Sequence, residues 1–84
     1  MNHITILRAF RATVEHASVV RAGRSIGLEP RFVSVAISSL ERRLSLLLFR
    51  RSMGRVLLTE TGEIFYIGCC RILDELDRLD TAVV

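Results

Sequence analysis

The sequence predicts a mainly α-helical domain with one short antiparallel hairpin, and three observations predict it. Apolar residues recur at helical spacing over 4–16 and again over 30–44. Cap and turn residues (Ser18, Gly27, Pro30 and Thr59) punctuate the periodic segments. Two short apolar runs flank the basic turn "RRSMGR" at 50–55. At 84 residues, half of them hydrophobic and only one of them proline, the chain makes one folded domain near the size where stability is marginal.

The first helix runs from about Ile4 to His16, with Leu7, Phe10 and Val14 on its buried stripe. His16 falls in its last turn, where positive charge complements the helix dipole. Ser18 is an N-cap for a short second helix, "VVRAGRSI", which Gly27 ends as the C′ residue. A three-residue turn leads to Pro30, a good first-turn residue for a third helix. There Val33, Ile37, Leu40 and Leu44 form the buried stripe, and small Ala22 and Gly23 let the second helix cross it closely. Helix, turn and helix in this order make a helix-turn-helix, an arrangement that also occurs in three-helix domains unconnected with DNA.

The other stripe of the third helix reads Arg31, Val35, Ser38, Arg42. Its centre is small and neutral, which suits a surface that something lies against. Leu48-Phe49 and Val56-Leu57-Leu58 then read as two strands, with Gly54 near the hairpin tip and Arg50, Arg51 and Arg55 around it. A basic hairpin after a helix-turn-helix is a wing, although basic turns on a solvated surface are ordinary. Thr59 caps a long last helix carrying Glu60 and Glu63 in its first turn. Along that helix Phe65, Cys69, Ile72, Leu76, Leu79 and Val83 are spaced 4, 3, 4, 3, 4, a heptad seam. Packing wholly on its own domain competes with a split role, in which the first turns cover the core and the later ones meet a partner helix. The division is residues 1–59 as a winged helix-turn-helix domain and 60–84 as a linker and dimerisation helix.

Charge is segregated along the chain. Residues 1–59 carry ten Arg against Glu15, Glu29 and Glu41, a net of +7, whereas 60–84 are acidic at −4. A basic body with an acidic helical tail fits a polyanion-binding surface on the body. Other classes are poorly supported. Adjacent Cys69 and Cys70, far in sequence from His3 and His16, suit neither a metal site nor an ordinary intrachain disulfide. There is no Gly-rich phosphate loop and no paired nucleophile and base, so neither an enzyme nor a cofactor is expected. The longest apolar runs, such as "LLLF" at 46–49, are too short to span a membrane, and the N-terminus lacks a signal peptide's apolar centre, which points to the cytoplasm.

The order of motifs resembles the N-terminal winged helix-turn-helix of LysR-type transcriptional regulators over nearly the whole chain. The resemblance is carried by Phe10, Ser18, Ala22, Pro30, Val33-Ser34, Ile37, Leu40-Glu41, Leu44, Leu48-Phe49, Arg51, Leu58-Thr59 and Gly62. It implies a bacterial domain that binds double-stranded DNA, dimerises through its last helix in antiparallel fashion and reads an interrupted palindrome. It places Pro30, Arg31, Phe32, Ser34, Val35, Ser38 and Arg42 at the DNA face of the third helix. Ser18, Arg50, Arg51 and Arg55 come near the backbone, and the heptad seam lies between two copies. Higher oligomers and a small-molecule effector belong to a larger C-terminal domain to which nothing in this segment corresponds. Departures are also plain. Val20 stands where the family often has a hydroxyl residue, Glu29 where it has Ser or Thr, Val35 where a basic or polar residue is frequent, and Ser45 where a glycine ends the helix. The alternative function is an interaction module that heterodimerises with a longer regulator and titrates it.

Overall fold

A computed structural model describes residues 1–53 and 55–83, so the hairpin residue Gly54 lies outside the described residues. Six elements follow one another: α1 (His3–His16), α2 (Val19–Ile26), α3 (Pro30–Leu44), β1 (Phe49–Ser52), β2 (Arg55–Leu58) and α4 (Glu60–Ala82). The expected mainly α winged helix-turn-helix is the fold observed.

Local chemistry sets each boundary. Asn2 caps α1 by accepting from Thr5 N–H at 2.8 Å, and Ser18 caps α2 by accepting from Arg21 N–H at 3.1 Å. Gly27 closes α2 in the left-handed region (φ 75), and its N–H returns to the Gly23 carbonyl. Gly23 cannot carry a side chain, because a Cβ there would meet the Leu28 carbonyl oxygen at 2.3 Å. The turn between α2 and α3 is therefore held close against the helix it leaves.

The core is built around Phe10 of α1, which is fully buried. Its ring stands 5.3 Å from both Phe49 of β1 and Phe65 of α4, centroid to centroid, the latter edge-on at 83°. Val33, Ala36, Ile37 and Leu40 of α3 close the core from one side, and Leu48, Cys69 and Leu73 from the other. Thr13 is the buried polar residue, and its hydroxyl donates to the Ala9 carbonyl at 2.8 Å. Burial pushes the Cys69 thiol up to about 11, with a smaller contribution from Cys70 beside it.

The two strands pair antiparallel with Phe49 opposite Leu58, Arg51 opposite Val56 and Ser52 opposite Arg55. At the wing's base Thr59 Oγ1 accepts from Gly62 N–H and donates to the Leu47 carbonyl, to which Thr61 also donates. Gly62 fits beneath this base because a Cβ there would lie 2.1 Å from the Leu48 carbonyl oxygen.

One sequence expectation is corrected here. The heptad reading put Phe65 and Cys69 on a partner-facing seam. Phe65 packs edge-on to Phe10, and Cys69 is 2% exposed with its thiol donating to the Leu7 carbonyl. Both face the chain's own core. The apolar residues that α4 leaves outward are Ile64, Ile67, Ile72, Leu79 and Val83, with Leu76 half-buried.

Candidate nucleic-acid interface

Helix α3 buries Val33, Ile37 and Leu40, so a residue one half-turn away must face outward. Arg31, Val35, Ser38 and Arg42 are all exposed as that spacing requires, with Val35 at 57%. Pro30 and Phe32 are exposed at the helix start, and Ser34 is half-buried at the edge of the stripe. The neutral middle of this face is thus open surface that no other element covers among the described residues.

Beside it lies a cleft of about 170 Å³ between α3, the wing and the start of α2. Ser34, Ser38 and Glu41 line it from α3, Arg51 and Phe49 from β1, and Val19 from α2. Side chains alternate across a strand, and directly paired residues share a face. Arg51 therefore turns with Phe49 and Val56 toward α3, whereas Arg50 turns with Ser52 and Arg55 to the wing's outer face. The sequence grouped three wing arginines; the fold brings only Arg51 to the helix and sets Arg50 and Arg55 together on the other side. Ser18 uses its hydroxyl oxygen as the α2 cap, at the end of α2 that borders the cleft through Val19.

Glu41 is the residue that sequence reasoning left without a role. Its Oε2 accepts from Leu48 N–H at 2.7 Å and Phe49 N–H at 3.2 Å, tying α3 to the first strand of the wing. Charge-assisted bonds to backbone N–H groups are among the stronger ones. A signal was present: a carboxylate standing alone beside Arg42 and Arg43, seven and eight residues before Leu48 and Phe49, whose N–H groups need partners where the strand begins.

The basic body is not one surface. Arg8 meets Asp77 at 3.0 Å, and Arg11 meets Asp74 at 3.2 Å and Asp77 at 3.9 Å, all between α1 and α4. Arg43 contacts the His3 ring at 2.8 Å. Among the described residues no ion pair engages Arg21, Arg24, Arg42, Arg50, Arg51, Arg55 or Arg71, so the open stripe and the wing each carry cations without an acidic partner.

Residues 4–63 match the family model described as bacterial regulatory helix-turn-helix protein, lysR family. An HTH-type transcriptional regulator of Xanthomonas campestris pv. campestris is 38% identical over 74 residues, covering 88% of this chain and 22% of that protein. The HTH-type transcriptional regulator DmlR of Escherichia coli is 33% identical over 82 residues, covering 94% of this chain and 27% of its own length. The chain thus spans about a quarter of the curated relatives it matches. Among solved structures, the complex of BenM_DBD with benA site 1 DNA superposes with a TM-score of 0.89 at 27% identity, over 98% of this chain and 92% of the other. Oxidized OxyR of Corynebacterium glutamicum shares the fold at a TM-score of 0.93, with 23% identity over 100% of this chain and 27% of that one.

Proposed function

The chain belongs to the lysR family of bacterial regulatory helix-turn-helix proteins, as a DNA-binding domain of transcriptional regulators, and from that premise we propose that two copies together read an interrupted palindrome in double-stranded DNA. The observation that carries this reading is the open stripe of α3 next to Arg51. Arg31 grips guanine or phosphate at one end of the stripe, and Arg42 reaches the backbone at the other. The Val35 methyls between them meet a thymine methyl, and Ser34 and Ser38 are small enough to let the bases approach. Arg50, Arg51 and Arg55 neutralise phosphates along the wing, and Ser18 holds the backbone at the start of α2.

The partner copy covers the outward side of the last helix. Ile72, Leu76, Leu79 and Val83 remain from the heptad seam, and Gly68, where an added Cβ would meet nothing within 4 Å, continues that stripe toward the wing. An antiparallel pair sets two reading helices apart on one side of the dimer, as a palindrome requires.

Selection from a random duplex pool, followed by binding at two salt concentrations, tests both parts. Recovered sites should be palindromic, and affinity should fall steeply with salt, because phosphate contacts release counterions. Leu76→Asp places repelling carboxylates in a small apolar contact and should shift sedimentation toward monomer, with palindrome affinity falling far more than half-site affinity. A Leu76→Asp protein that stays dimeric with normal palindrome binding would move the interface elsewhere. Heterodimer formation with a longer regulator in the absence of salt-dependent duplex binding would replace this reading with that of a titrating partner.

A further inference from the structure

Glu29, Arg31 and Phe32 form a cluster at the start of α3. Glu29 holds the N-cap position with extended backbone (φ −67, ψ 148), yet its side chain makes no capping bond to the helix. The carboxylate instead lies 3.3 Å from Arg31 Nε, with both side chains largely exposed. The Arg31 guanidinium carbon also stands 4.9 Å from the centroid of the Phe32 ring, within cation–π range. A solvated pair of this kind adds little to stability. Its consequence lies in what it does to Arg31.

A guanidinium carries five N–H donors in a rigid planar fork. The Glu29 carboxylate attracts the Nε side of the guanidinium, and the Phe32 ring packs against the group. The terminal Nη1 and Nη2 edge is left, presenting a parallel pair of donors that matches guanine O6 and N7. An untethered arginine at this place reaches phosphates of any sequence instead. Arg31 is also the cation of the first turn of α3, and the next on this stripe is Arg42, eleven positions on. One fork at one place is what a single-base preference needs.

We propose that Glu29 is a specificity-determining residue, which holds Arg31 as a guanine-reading fork and, as an anion on the DNA face, weakens binding to all other duplex. This rests on the reading of α3 as the groove-facing helix. The test compares the parent with Glu29→Ala, Glu29→Gln and Arg31→Ala. Each is titrated with the selected duplex, with versions replacing each G·C pair in turn, and with random duplex. In the parent, one replacement per half-site should cost on the order of 10-fold through Arg31, and Arg31→Ala should abolish that preference. Glu29→Ala should bind random duplex several-fold more tightly while the guanine preference falls to about 2-fold or less. Glu29→Gln, which keeps the length of the side chain but removes the charge that attracts Arg31, should gain random-duplex affinity and lose much of the preference. Unchanged thermal unfolding alongside these shifts separates positioning from folding. If Glu29→Ala keeps the parent's guanine preference, the role of Glu29 is overturned while the DNA-reading assignment stands. A parent protein that binds no duplex overturns both.

Discussion

Arginine serves opposite ends on the two sides of this domain. Between α1 and α4, Arg8 and Arg11 face Asp77 and Asp74, and beneath them Phe10, Phe65, Cys69 and Leu73 close an apolar contact. Between α3 and the wing, the cleft holds Ser34, Ser38 and Arg51, and the stripe beside it runs from Arg31 to Arg42 with little apolar cover. One side satisfies its charges internally and stores the packing; on the other, Arg31 meets the exposed Glu29, and no ion pair among the described residues engages Arg42 or Arg51. The segregation of +7 and −4 along the sequence therefore has two causes. Part of the acidic tail neutralises the body's own arginines, and the cations left without an ion pair among the described residues include Arg42 on the open stripe and Arg50, Arg51 and Arg55 on the wing.

The largest expected effect lies on the packed side. Phe10→Ala removes the ring that Phe49 and Phe65 both meet and should cost about 3–5 kcal/mol in denaturant unfolding. For a domain of this size that is much of its stability. A loss below 1 kcal/mol would mean that the wing and α4 do not depend on α1 as the packing indicates.

The Cys69 thiol probes the same side by pH. Burial raises its pKa from 9.0 to about 11, so the native state favours the neutral thiol more than the unfolded chain does. The stability this contributes is complete below about pH 9 and is lost as pH rises toward 11. Unfolding followed across that window should show a fall on the order of 1 kcal/mol that is smaller in Cys69→Ala. Tyr66, raised by its hydrogen bond to Cys70 and by burial, is lost to the same alkaline side, so Cys69→Ala reduces the fall and does not abolish it.

The smallest effects sharpen the contrast most. Arg11→Ala should lower stability by less than about 1 kcal/mol, since the pair is partly solvated, and leave the salt dependence of duplex binding unaltered. Arg51→Ala should do the reverse, with unfolding unchanged and the log–log salt slope reduced by about 1 per lost phosphate contact. If the two variants behave alike, the division into two sides fails.

Much of this was legible in the sequence, because caps and turns are local. Ser18, Gly27, Pro30 and Thr59 act where their chemistry placed them, and the stripe Arg31, Val35, Ser38, Arg42 is as exposed as its spacing predicts. Phe65 and Cys69 were placed on the heptad seam because α4 carries apolar residues around much of its circumference. Spacing alone could not choose between Cys69, which faces Leu7, and the outward stripe through Gly68 and Ile72. The Arg8 and Arg11 pairings join residues more than 60 positions apart, so only the fold reveals them. Ser45 shows a further limit. It adopts φ 55 at the end of α3, where glycine is usual, because the helix must turn there whatever residue is present.

Leu73 is the last fully buried residue of α4, so from Asp74 to Ala82 the helix is held to the body mainly through half-buried Leu76 and its charged side chains. Nine residues at the ordinary helical rise extend about 13 Å, and a tilt of about 10° carries the free end sideways by about 2 Å. The fastening across that overhang is Arg8 and Arg11 on Asp77 and Asp74, which salt screens far more than it does the aromatic contact behind it. Salt therefore weakens the hold on the last turns of α4 and leaves the aromatic packing of its first turns as it was.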